Sequence, residues 1–163
     1  MREIVMDTET TGFDPESGDR IVEIGGVELF NHVPTGNVYH QYINPERSMP
    51  QEAFEVHGLG DDFLRDKPVF SKIAQDFLDF VGDAKLVIHN ASFDMKFLNA
   101  ELKWTGKPAL PWEQAIDTLA IARKKFPDPQ RPWTPYVGGS ILITRLEHCT
   151  AHCWTRKFWR KFI

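Results

Sequence analysis

Two carboxylates, Asp7 and Glu9, stand two positions apart in the run DTETTG, residues 7–12. If that run ends a β-strand, both side chains project to one face, because successive residues of a strand alternate sides. Paired negative charges repel unless something positive lies between them. A hard divalent cation such as Mg²⁺ or Mn²⁺ answers that need, since it prefers oxygen ligands and keeps water or phosphate in its remaining positions. A solvated acidic turn also explains a bare D-x-E; the Thr-Thr-Gly that follows favours a built site. A third carboxylate, Asp94, closes the run HNASFD, residues 89–94. It sits where an apolar strand gives way to a helix, and open α/β sheets collect their ligands at the carboxyl ends of strands. Asp94 is therefore expected to face the same crevice as Asp7 and Glu9. An acid in a first helical turn is also favoured by the helix dipole alone, so the two motifs together say more than either.

The elements that would position these acids follow from periodicity. Residues 3–7 (EIVMD), 20–29 (RIVEIGGVEL) and 38–43 (VYHQYI) read as strands, with Gly12, Pro15 and Gly18 as turn residues between the first two. They suggest an antiparallel meander. From Pro50 the period changes: QEAFEVHGL carries a short helix, and apolar residues from Phe70 to Val81 recur at helical spacing, predicting a helix over about residues 71–80. The apolar run AKLVIH, residues 84–89, suits a strand of a parallel arrangement buried on both faces. Asn90 and Ser92 offer N-caps for the helix FDMKFLNAEL, and a further helix over residues 117–126 is ended by Pro127. Strands first, then alternating helix and strand, indicate an α/β domain with a mixed sheet and helices on its faces.

Taken together, IVMDTETTGF, RIVEIGGVEL, PQEAFEVHGL, LVIHNASFDMKFL and DTLAIARKKFP resemble the DEDD superfamily of 3′-to-5′ exonucleases. Within it they are similar to the proofreading epsilon type of bacterial DNA polymerase III, over roughly residues 2–127. The resemblance implies a ribonuclease-H-like fold and hydrolysis assisted by two cations, Mg²⁺ or Mn²⁺, releasing nucleoside 5′-monophosphates from a single-stranded DNA 3′ end. It implies Asp7, Glu9 and Asp94 as catalytic metal ligands, and Glu52 and His57 as contacts to the terminal nucleotide along with Asp7 and Glu9. Taken alone, His57 reads as a half-buried structural histidine. A polymerase catalytic subunit is the implied partner, bound in the family through a further C-terminal segment that this chain does not reach. DTETTG and HNASFD read metal and phosphate rather than base or sugar. An RNA 3′-end exoribonuclease of the same superfamily is therefore one alternative, and a non-catalytic polymerase-associated or structural module with the same fold is the other.

Composition agrees with one compact domain. The chain has 163 residues, 42% hydrophobic and 26% charged, and no apolar run approaches the roughly eighteen residues of a membrane span. The acidic start MREIVMDTE is unlike a signal peptide, so a cytoplasmic protein with no membrane partner is expected. Charge is unevenly spread: residues 131–163 hold six basic side chains and one acid, which leaves −9 on the rest of a chain of net charge −4. The exonuclease domain is accordingly assigned to residues 1–129 and an atypical tail to residues 130–163.

In this superfamily a third motif, H-x-x-x-x-D, supplies the general base and the fourth carboxylate. After Asp128 the only acid is Glu147, and neither His148 nor His152 precedes an acid by five. His148, Cys149, His152 and Cys153 are too crowded for C-x₂-C…H-x₃-H zinc spacing, and a basic aromatic run such as WTRKFWRKFI is a weak signal for a membrane or nucleic-acid surface. A replacement for the last helix with Cys, Thr and Arg at core positions would also bury less apolar area.

The genetic code offers another explanation. When the third base of each codon is read with the first two of the next, several residues are forced whatever codons were used. Trp133-Thr134 gives Asp, His148-Cys149 gives Leu, residues 152–155 give Leu-Leu-Asp, and Phe158-Trp159 gives Leu. Permitted codons then allow H-G-A-L-L-D, with its His across Cys149-Thr150 and its Asp across Trp154-Thr155. Residues from about Gln130 onward thus read as a frameshifted product. Sequencing of the encoding DNA is expected to show codons that spell this continuation in the shifted frame; a stop codon in that frame within the tail would contradict it.

Overall fold

In the computed structural model, residues 1–125 are described; the tail, with His148, Cys149, His152, Cys153 and its shifted-frame reading, lies outside the described residues. Strands cannot satisfy their backbone hydrogen bonds alone, and here they pair in a five-stranded sheet in the order β3-β2-β1-β4-β5. β1 (Arg2–Thr10), β2 (Ile21–Phe30) and β3 (Val33–Tyr42) form the antiparallel meander, while β4 (Lys85–Ile88) and β5 (Ala115–Asp117) run parallel to β1. This is the mixed sheet the sequence predicts. One row of apolar residues, mostly β-branched valines, crosses it completely in register: Val38, Val27, Val5, Val87 and Ile116.

Five helices complete the described chain: α1 (Gln51–His57), α2 (Asp61–Leu64), α3 (Phe70–Val81), α4 (Ala91–Trp104) and α5 (Thr118–Lys125). The face of β1 that carries Ile4 and Met6 joins Ile24, Leu86 and Ile88 in the main core. There it meets Phe70, Ile73, Phe77 and Val81 of α3 and Met95, Leu98 and Leu102 of α4. The apolar stripe of α3 at positions i, i+3, i+4 and i+7 is what turns that helix onto the sheet. A smaller cluster of Val22, Leu59 and Leu64 seats α2 near Tyr42. Met1–Ala122 form one compact unit. Among the described residues no helix is long and apolar enough to cross a membrane.

Several boundaries differ from the sequence expectation: β3, expected over residues 38–43, runs Val33–Tyr42, and three others differ for a local reason. β1 continues to Thr10 rather than stopping at Asp7, so Glu9 too lies within the strand. α4 begins at Ala91, with Asn90 at its cap in a left-handed conformation (φ 65) and no side-chain cap bond; Ser92 lies inside the helix and donates to Asn90 Oδ1 at 3.2 Å. Residue 117 ends β5, and its carboxylate caps α5 by accepting from Leu119 and Ala120 N–H at 2.9 and 3.2 Å. β5 and α2, of three and four residues, are too short for periodicity to announce them.

Phe77 is 1% exposed and packs its ring against Tyr39, centroids 5.8 Å apart. Phe77→Ala is expected to destabilise the chain by about 3–5 kcal/mol, read as a lower urea midpoint; a loss within experimental error would contradict this placement of the core.

Candidate active site

β1 and β4 are paired only through Glu3–Lys85, Ile4–Leu86 and Val5–Val87. Beyond Val5 the edge of β1 runs on past its parallel neighbour, and a backbone N–H buried there needs an acceptor. Asp94, in the first turn of α4, provides it: its Oδ1 accepts from Thr8 N–H at 3.0 Å and from Thr8 Oγ1 at 2.8 Å. Thr8 is the residue between the two acids of DTETTG. The strand edge thus draws the acid of the second motif to the acids of the first, at the carboxyl ends of two parallel strands.

Asp7 is half-buried and Glu9 is 5% exposed. Both stand on the face that carries the apolar row, two and four residues beyond Val5. Opposite Asp7 is Gly25, which adds no side chain to that row, and beyond it His40. Opposite Glu9 is Glu23. Like charges facing across a strand pair are destabilising, and here His40 Nε2, 2.7 Å from Glu23 Oε1, takes up the second carboxylate. The register of β1 and β2 shifts at Glu9, where Val22 is the extra residue of a bulge. Bulges re-aim the side chains around them.

The Thr-Thr-Gly of the first motif turns the chain back into β2. Thr10 Oγ1 donates to the Gly12 carbonyl at 2.6 Å. Thr11 N–H donates to the Arg20 carbonyl at 2.9 Å, and Thr11 Oγ1 accepts from Arg20 N–H at 3.0 Å. A Cβ on Gly12 would collide with the Asp19 carboxylate, which would have to move from its bonds to Thr11 Oγ1 and Asp14 N–H. These residues are the hinge pin of the site rather than ligands.

Burial, and then the charge of Asp7, push the Asp94 carboxyl from 3.8 up to about 8, against the two Thr8 bonds that favour its ionised form. Asp7 and Asp94 are therefore brought together. Among the described residues no group of three or more His, Cys, Asp or Glu side chains is arranged to hold a metal ion, so Glu9 shares the face without closing a three-ligand set. The donor chemistry of Asp7 and Asp94, two oxygen-only ligands of like charge, fits a hard divalent cation.

Glu52 and His57 end on different sides of the short helix α1. Glu52 is exposed in its first turn, whereas His57 is 2% exposed at its last residue, more deeply buried than its sequence context suggests. His57 Nδ1 accepts from Leu59 N–H at 3.1 Å, which leaves Nε2 as the protonated ring nitrogen. Sequence reasoning passed over Thr8, His40 and Glu23. Only the position of Thr8 between two acids could have flagged it; the partners of the others are on other strands.

The family described as an exonuclease matches residues 4–153. The DNA polymerase III subunit epsilon of Rickettsia conorii is 57% identical over 130 residues, which cover 78% of this chain and 56% of that protein. The chain thus spans about half the length of the curated relatives it matches. Among solved structures, exonuclease I in its apo form superposes with a TM-score of 0.69 at 16% identity, covering 82% of this chain and 33% of the other. Exonuclease X, solved in complex with 5′ overhanging duplex DNA, superposes with a TM-score of 0.57 at 28% identity, over 76% and 64% of the two chains. The mixed sheet is the ribonuclease-H-like fold expected from the sequence.

The raised Asp94 carboxyl has a defined effect on stability. Between its ordinary value of 3.8 and about 8 the unfolded chain has lost a proton that the folded chain keeps, so stability falls as pH rises through that window. In the presence of a chelator, the melting temperature of the wild-type chain is expected to drop by several degrees more between pH 5 and pH 8 than that of Asp94→Asn. Equal slopes for the two proteins would contradict the burial and like-charge origin of the shift.

Proposed function

This chain belongs to the exonuclease family, and we propose that it is a 3′-to-5′ DNA exonuclease of the proofreading, epsilon type, whose third catalytic motif is missing from the chain as written. The observation that carries this reading is the Thr8-anchored Asp94 beside Asp7 at the carboxyl ends of β1 and β4. The similarity to epsilon subunits supports DNA as substrate and a polymerase as partner, acting in the cytoplasm.

In this reading Asp7 and Asp94 would hold a divalent cation, Mg²⁺ or Mn²⁺, and Glu9, on the same face of β1, is the further ligand that the resemblance implies. When bound, such ions supply a nucleophile from water at neutral pH and offset charge on the departing 3′ oxygen. Thr8 fixes the rotamer of Asp94 by two hydrogen bonds to one carboxylate oxygen. Glu23 is kept off Glu9 by His40. Glu52, on the exposed side of α1, and His57, buried at the end of that helix with Nδ1 accepting from Leu59 N–H, are the residues the resemblance assigns to the terminal nucleotide. A general base within reach of the attacking water is still required, and the sequence from residue 130 offers no His followed five positions later by an acid.

The frameshifted reading of residues 130–163 accounts for that gap and favours a second state of the same fold, a DNA-binding module without turnover. The chain as written is expected to bind a single-stranded 3′ end more tightly with Mg²⁺ or Mn²⁺ than with chelator, and to release no mononucleotides above background. Robust Mg²⁺-dependent release of nucleoside monophosphates, abolished by Asp7→Ala, would contradict the missing motif. Binding that is indifferent to metal would contradict the cation site.

A further inference from the structure

α4 carries a second buried acid. Its apolar stripe runs Ala91, Met95, Leu98 and Leu102, and two carboxylates interrupt it, Asp94 and Glu101. They are seven residues apart, which is two turns and about 10 Å along the same face of the helix. Glu101 is 0% exposed. Its Oε1 accepts from Arg20 Nε at 2.7 Å and from Ile21 N–H at 3.3 Å, and its Oε2 accepts from Arg20 Nη2 at 2.9 Å. Trp104, one turn further along, places its ring centroid 5.3 Å from the Arg20 guanidinium carbon, and Glu46 Oε2 lies 3.9 Å from Nη1.

The backbone of Arg20 is itself tied to Thr11 by two hydrogen bonds. The helix that bears Asp94 is therefore joined to the DTETTG segment twice: through Asp94 to Thr8, and through Glu101 and Arg20 to Thr11. One attachment would leave a helix free to pivot and slide; two, about 10 Å apart on one face, fix its rotation and its axial position together. A buried ion pair adds little net stability over an apolar pair of equal size, so stability alone does not explain why the stripe is interrupted there.

We propose that Arg20 and Glu101 are positioning residues of this site: their bidentate pair sets the register of α4 on the sheet so that Asp94 stays on Thr8 and close to Asp7. The cation arm of the test rests on the reading of Asp7 and Asp94 as metal ligands. The other arm, the Thr8 amide in metal-free protein, does not.

The test uses the full chain with the double substitution Arg20→Met and Glu101→Leu, which removes both charges together and leaves neither buried alone. The variant is expected to unfold at a temperature close to wild type. Its Thr8 amide is expected to exchange with solvent about tenfold faster, relative to the other β1 amides, and its Mn²⁺ affinity to fall by about tenfold or more, as for loss of a group that orients a ligand. A folded double variant with Thr8 exchange and Mn²⁺ affinity both at wild-type values would overturn the proposal. If wild type binds no Mn²⁺ at all, the cation reading fails; the Thr8 amide then decides the positioning role by itself, with accelerated exchange supporting it and unchanged exchange overturning it. Should the double variant not fold, Arg20→Lys, which keeps the charge and loses the bidentate fork, is read by the same two measurements.

Discussion

The site depends on one hydrogen-bonded junction, the carboxylate of Asp94 on the amide and hydroxyl of Thr8, which joins residues 86 apart in the chain. It exists because β4 stops pairing with β1 at Val5–Val87 while β1 continues. An unsatisfied amide there would cost about 1–3 kcal/mol, and the cheapest acceptor in reach is an acid at the start of the helix that follows β4. The same bond that completes the sheet edge places a third carboxylate against the first motif. Fold and site are thus consequences of one local deficit.

The protein treats its acids unequally. Glu101 is held by Arg20, Glu23 by His40, and the buried Glu3 by His32, whose N–H and Nδ1 lie 3.1 and 2.8 Å from Glu3 Oε2. Each of these has a basic partner from another part of the chain, as expected where desolvation makes a lone charge expensive. Asp94 has instead the like charge of Asp7 as its electrostatic neighbour, and its carboxyl is pushed far from its ordinary range. Among the described residues, the acids Glu3, Glu23 and Glu101 each face a base, whereas the charge that acts on the Asp94 carboxyl is that of Asp7. Two like-charged oxygen donors at one place suit a hard divalent cation, the reading proposed above.

Much of this was legible in the sequence. The alternation of β1 placed Asp7 and Glu9 on one face, and the apolar run before HNASFD placed Asp94 at a strand-to-helix junction; both follow from local periodicity. What escaped notice was long-range. Thr8 and Asp94 meet across 86 positions and Arg20 and Glu101 across 81, and no window along the chain contains both partners. Glu101 did leave a trace, an acid on the apolar stripe of α4, which helical periodicity alone would have flagged as needing a buried base. The extension of β1 to Thr10 escapes the apolar-run signal, which ends at Met6, until the ladder from Thr8 to Ile24 and from Thr10 to Ile21 is seen. The tail is a different case: the exonuclease family match runs to residue 153, whereas the Rickettsia conorii relative matches 78% of the chain.

The central claim is that Asp7 and Asp94 share a divalent cation that relieves their mutual repulsion. Crystals of the full chain soaked in Mn²⁺ test it most directly by anomalous scattering. The account predicts a peak bridging the two carboxylates, with oxygen distances of about 2 Å, and its loss in Asp94→Asn. Mn²⁺ bound elsewhere on the chain, with no peak between Asp7 and Asp94 at saturating metal, would contradict it.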